Sequence, residues 1–286
     1  MRVNQITRSL ILSILTGFAI VACSVADVPT KQTDPSPSAS SPNAIVAQSP
    51  TSPASQPTKN LIRTQPLRSQ KYESRLEALP QPFATESASK SPQVIPIPQN
   101  PVLNVPEGFE INVYAEGLDR PRWLALAPSG EVLVTETRQN RIRILSDRDG
   151  DGAAESNQVF ATAENGLNQP FGMAFADNSF FLGNTNAVLR FPYQQGQTSI
   201  TGQGNKIADL PASGYNNHWT RNVIAAPDGS KLYVSIGSAS NVDEEPLPRA
   251  SVQVMNPDGS DRQTFAFGLR NPVGLDFHPL TGKLYT

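Results

Sequence analysis

A unit of about fifty residues recurs four times from Gly117 onward, and this repetition restricts the fold more than any other property of the chain. The segments "GLDRPRWLALAPSGEVLVTE" from Gly117, "GLNQPFGMAFADNSFFLGN" from Gly166, "NHWTRNVIAAPDGSKLYVSI" from Asn217 and "GLRNPVGLDFHPLTGKLYT" from Gly268 begin 49, 51 and 51 residues apart. Each places a polar or proline-containing leading loop before a short strand, then a Pro/Asp/Gly turn and a second strand, and leaves room for two strands more. Four short strands in roughly fifty residues is the signature of a propeller blade. The expected fold is all-β, a β-propeller of which about three and a half blades lie between residues 104 and 286. A β-sandwich with accidental spacing is the competing reading, and the regular leading loops argue against it.

A propeller puts every leading loop at the same end of its blade. Arg122, Gln169, His218, Arg221, Arg270 and Asn271, scattered in sequence, are therefore expected on one face around a central axis. Closed propellers have roughly 4 to 8 blades. Thr286 falls inside an expected strand, so the chain reads as a C-terminally truncated propeller with exposed sheet edges and end faces.

Before the repeats the chain has a different character. All glycines except Gly17 lie between Gly108 and Gly282, and residues 24–103 read as a disordered linker rich in proline and serine. Residues 1–23, with Arg2 and Arg8 before an apolar run from Leu10 to Ala22, have the layout of a secretory signal. That run is shorter than the roughly 20 residues a transmembrane helix needs. The residues "IVAC" resemble a bacterial lipobox ending at Cys23, the only cysteine, which implies lipidation there and a lipid-anchored protein on the envelope side of a bacterial membrane. Cleavage at a small residue, leaving Cys23 a free thiol, is the other reading. A net charge of -2 with 17% charged residues gives no basis for a nucleic-acid partner.

Only two histidines exist, His218 and His278. The stretches "NNHWTRNVIAAPDGSKLYVSIGSASNVDEE", "RASVQVMNPDGS" and "FGLRNPVGLDFHPLTGKLYT" resemble the glucose/sorbosone dehydrogenase family, six-bladed propellers that use pyrroloquinoline quinone. The resemblance covers most of residues 104–286 and is most specific at "HWTRN" and "LRNP". It implies oxidation of a sugar with hydride transfer to the quinone, and electrons then pass to an external acceptor. By the same resemblance His218 is the general base, suited by an ordinary pKa of about 6.5. Arg270 and Asn271 match the pair that contacts the quinone, and a guanidinium there stabilises developing negative charge.

Arg221 reads either as added positive charge on the rim or as an ion-pair partner for Asp243–Glu245. Trp219 reads either as a stacking platform for substrate or cofactor or as inter-blade core, and Gln169 offers an amide to either ligand. His278, beside Pro279 in a turn, reads as structural. In "SDRDGDGAAES", Asp147, Asp149 and Asp151 precede Gly152 like the start of a calcium loop; Gln158 stands where an EF-hand has glutamate, and Glu155 is the substitute. A plain Asp/Gly-rich hairpin turn is the alternative. No dinucleotide fingerprint, HExxH, CxxC or G-x-S-x-G motif is present. The functional alternative to an enzyme is a non-catalytic cell-surface propeller that binds carbohydrate or protein.

Overall fold

In the computed structural model, residues 61–286 are described except for 82–83, 85–90, 97 and 215. Both the signal segment 1–23 with Cys23 and the first part of the linker lie outside the described residues. Sixteen strands are formed within them. Strands β1 (Arg63–Pro66) and β2 (Val102–Val105) pair in parallel, Arg63 opposite Val102. Strand β1 and the start of β2 thus fall inside residues 24–103, the span expected to be linker. Composition missed them because the pairing spans a gap of almost forty residues that no local pattern announces.

Three four-stranded antiparallel sheets follow, each a meander. The first holds β3 (Leu124–Leu126), β4 (Val132–Glu136), β5 (Arg141–Ser146) and β6 (Ser156–Ala161). The second holds β7 (Met173–Ala176), β8 (Ser179–Gly183), β9 (Ala187–Pro192) and β10 (Asn205–Asp209). The third holds β11 (Val223–Ala225), β12 (Leu232–Ile236), β13 (Ser251–Met255) and β14 (Gln263–Phe267). A fourth blade begins with the pair β15 (Asp276–Phe277) and β16 (Leu284–Tyr285). Three blades and the start of a fourth agree with the fifty-residue repeat.

The core lies between the sheets, and period-two alternation divides it. In β8 all five residues are buried, because both faces of the sheet are covered. Phe180 and Leu182 pack with Leu133, Ile142, Ile144 and Phe160 of the first blade, whereas Phe181 packs with Val223, Leu232 and Val234 of the third. Full burial of such a side chain is worth about 1.5–3 kcal/mol, so the inter-blade layers carry the stability. Phe160 meets Phe180 edge-on at 5.4 Å between centroids, the favoured aromatic geometry. The two outer faces differ: Leu124 and Leu126 on the first blade are exposed, as are Phe265 and Phe267 on the third.

Near the axis the blades approach closely. Gly172 donates its N–H to the Arg221 carbonyl, and Gly183 donates to the Gly172 carbonyl. A Cβ on Gly183 would sit 2.3 Å from the Arg221 oxygen, so only glycine permits this backbone contact between blades two and three.

Candidate active site on the axial face

The segment leading into β11 is held by one buried cation. Arg221 is wholly buried, and its guanidinium donates to the carbonyls of His218 (2.8 Å), Thr220 (2.9 Å) and Pro211 (2.7 Å) and to Asn216 Oδ1 (3.1 Å). Arg249, on the loop between β12 and β13, donates to the same Asn216 oxygen at 2.9 Å. Burial, then the neighbouring Arg249, lowers the Arg221 pKa to about 10, which leaves it charged at neutral pH. Neither sequence reading of Arg221 holds. It is not a rim charge, and its partners are carbonyl and amide oxygens, not the carboxylates of Asp243–Glu245. Four fixed oxygen dipoles at the two terminal nitrogens replace part of the water that a charge loses on burial, while Nε is buried without a partner.

That knot presents His218. Its ring is buried, with Nδ1 2.8 Å from Ser238 Oγ and 3.1 Å from the Ser238 carbonyl. Nε2 lies on the other side, 3.5 Å from Asn217 Nδ2. Gly237 makes room for the ring, because a Cβ there would stand 2.5 Å from His218 Cβ and 3.0 Å from Asn271 Oδ1. Burial, then the charge of Arg270, pushes the His218 pKa below the ordinary imidazole value, against smaller opposing effects of Ser238, Glu245 and Asn241. Both larger effects favour the neutral ring, the form a general base requires.

Arg270 arrives from the leading loop of the fourth blade. Its side chain is exposed, and Asn241 holds it: Nε donates to the Asn241 carbonyl at 3.0 Å and Nη2 donates to Asn241 Oδ1. The same Oδ1 accepts from Asn217 Nδ2 at 2.9 Å, so a single amide joins the base's neighbour to the guanidinium. Asn222 Nδ2 donates to the Val273 carbonyl at 3.0 Å and ties the third and fourth leading loops together.

On the other side of His218, Trp219 is half-buried, edge-on to Phe171 at 6.1 Å between centroids, with the Arg122 guanidinium 5.7 Å from its ring centre. Trp219 is thus inter-blade packing on one side and under a cation on the other. Leading loops of four blades do converge through Arg122, Phe171, Trp219, His218, Arg270 and Asn271. Gln169 stands at the same end with φ +48 and its N–H on Asn140 Oδ1, exposed. Beside this cluster a cavity of about 620 Å³ is lined by Ser238, Asn241, Glu245, Arg249, Phe267 and Arg270.

Ser238, Asn241, Glu245 and Arg249 were missed from sequence. The signal was available in the topology: in a four-stranded meander the second connection also returns to the leading-loop end, so the β12–β13 loop had to reach the same face. By the same parity the β5–β6 turn lies at the opposite end. There the carboxylate oxygens of Asp147, Asp149, Asp151 and Glu155 all lie within 4.8 Å of one another. Gly150 and Gly152 donate their N–H groups to Asp147, and Arg148 donates its N–H to Glu155.

The donor set of the axial face is chemically suited to a planar anionic quinone. It offers two guanidinium groups, Arg122 and Arg270, the amide of Asn271, an indole and an imidazole. His278 accepts the N–H groups of Leu280 and Thr281 within its own turn, as a structural residue would.

A family model described as TrAA12-like matches residues 103–286. An uncharacterized protein of Borreliella burgdorferi is 23% identical over 192 residues, which cover 64% of this chain and 48% of that protein. Among solved structures, the calcium structure of a Trichoderma reesei protein of Carbohydrate-Active Enzymes Family AA12 is similar with a TM-score of 0.50 and 20% identity, over 60% of this chain and 46% of that one. The holo form of the PQQ domain of pyranose dehydrogenase from Coprinopsis cinerea gives a TM-score of 0.49 and 19% identity, over 59% and 43%. The chain spans about half the length of the relatives it matches.

Proposed function

The chain belongs to the TrAA12-like family, and from that premise we propose that its axial face is the redox site of a quinoprotein that oxidises a sugar or related aldose. The observation that carries this reading is the meeting of His218 and Arg270, from two different leading loops, through Asn217 and Asn241. When bound, pyrroloquinoline quinone supplies the two-electron acceptor for the hydride leaving the carbinol carbon. The protein's part is to take the hydroxyl proton on His218 Nε2 and to hold positive charge at Arg270 where negative charge develops. Asn271 and Arg122 help to fix an anionic ligand, and Trp219 offers an apolar face. The adjoining cavity, of a size that takes a small ligand, presents the hydroxyl, amide and carboxylate groups that sugar hydroxyls pair with.

Purified protein supplied with pyrroloquinoline quinone and calcium should reduce a redox dye in the presence of an aldose. Absence of quinone binding, also in a longer form carrying further repeats, would favour a carbohydrate- or protein-binding propeller instead.

The pH profile is a separate check. Burial and Arg270 both favour the neutral ring, so base-competent His218 persists as pH falls through the ordinary value. The acid limb of kcat/KM is expected to have its midpoint below about 6.5. A midpoint at or above that value would contradict the assignment of the limb to this histidine.

Calcium belongs to the proposal at the Asp147–Glu155 turn, supported by four clustered carboxylates of the kind hard cations prefer. Terbium luminescence should saturate with the wild-type protein, and Asp149→Asn should weaken binding about tenfold. Equal signals from both would remove the loop as a site. Anchoring through acylated Cys23 is proposed on the "IVAC" motif alone. Radiolabelled palmitate should enter the wild-type protein in a bacterial host and be absent from Cys23→Ser.

A further inference from the structure

Ser238 lies outside the repeated segment and outside the "HWTRN" and "LRNP" loops, yet its hydroxyl decides what His218 can do. The Ser238 Oγ–H points to the Ser240 carbonyl at 2.6 Å. A hydroxyl has one proton, and that proton is committed, so toward the imidazole Ser238 Oγ can only accept. His218 Nδ1, 2.8 Å away, is then the protonated nitrogen. The Ser238 carbonyl, an acceptor only, lies 3.1 Å from the same nitrogen and requires the same tautomer. Glu245 fixes this arrangement from below by accepting the N–H groups of Ala239 at 2.7 Å and Ser240 at 2.9 Å. The lone pair is left on Nε2, which faces Asn217.

We propose that Ser238 is a positioning residue that locks His218 as the Nδ1–H tautomer, so that Nε2 is the basic atom presented to the axial face. This rests on the reading of His218 as base, but the tautomer is a property of the protein whether or not it turns over a sugar. The lock uses a neutral hydroxyl. The polar neighbours of the ring are Ser238 and the side-chain amides of Asn217 and Asn241, all uncharged, and the charges of Arg270 and Glu245 act on it with opposite sign. A base oriented by serine thus gains its direction without a carboxylate bonded to the ring to stabilise the imidazolium.

Histidine-selective ¹⁵N labelling of the intact chain reads the tautomer directly. With two histidines, a His278→Gln variant assigns the spectrum. Above the titration of the ring, wild-type His218 should show a protonated Nδ1 and a bare Nε2. Ser238→Ala should move it toward the Nε2–H form, and Ser238→Thr, which keeps the hydroxyl, should restore it. In the quinone-loaded protein Ser238→Ala should lower kcat on the order of tenfold with KM little changed. A wild-type ring protonated on Nε2 would overturn the proposal, and that measurement needs no variant to fold. An unchanged tautomer in Ser238→Ala would overturn it equally. A wild-type Nδ1–H ring in a protein without sugar-dependent dye reduction would uphold the lock while removing the catalytic reading.

Discussion

Replacing His218 by alanine in the quinone-loaded protein is expected to lower kcat by about 10²–10⁴-fold, the range that a positioned general base contributes. The change should leave quinone affinity nearly intact, because the cations that suit an anionic cofactor, Arg270 and Arg122, stand on other loops. The ring is buried against Ser238 and Gly237, so the truncation also opens a void. A paired measurement separates the two effects. If the loss is chemical, the variant unfolds near the wild-type urea midpoint and its residual rate no longer shows the acid limb assigned to the imidazole. Turnover within a few-fold of wild type would remove His218 from the mechanism.

Arg221→Ala is expected to act on the other side of the ledger, lowering stability by about 4 kcal/mol while Arg270→Ala changes it by less than about 1. Both arginines lie in motifs that carry the family resemblance, and only burial tells them apart. The Arg221 guanidinium is the donor for four oxygens from Pro211, Asn216, His218 and Thr220. Its removal leaves those acceptors facing a cavity and the charge of Arg249 still bound to Asn216. Arg270 is exposed, and its loss frees groups that water can reach. Urea unfolding of the three proteins checks the contrast. A similar midpoint for Arg221→Ala and wild type would mean that the loop before β11 is held by something else. Arg221→Met keeps most of the volume and tests the hydrogen bonds alone; it should fall between the two.

The strands and their grouping into blades were legible because each obeys a period. Alternation sends Phe180 and Phe181 to opposite faces of β8, and the fifty-residue recurrence sets the number of sheets. That His218, Arg270 and Asn271 share a face with Arg122 also followed from topology, since leading loops of a propeller lie at one end. The loops themselves have no period. "HWTRN" reads the same whether its arginine points to solvent or inward, and the direction was decided by the carbonyls of Pro211, His218 and Thr220 that are turned toward it. Trp219 was ambiguous for the same reason and lies half-buried between Phe171 and Arg122.

The sequence by itself determined an all-β chain of repeated four-stranded units with an imidazole and a guanidinium at one end. Only the tertiary structure decided which arginine is a strut and which is free to meet a ligand. It alone brought Ser238 and Asn241 to the site and turned Nε2 of His218 toward the face. The physical reason is that burial patterns along a strand are local and periodic. The pairing of a polar side chain with its partners depends on which distant backbone oxygens the packed blades leave within reach.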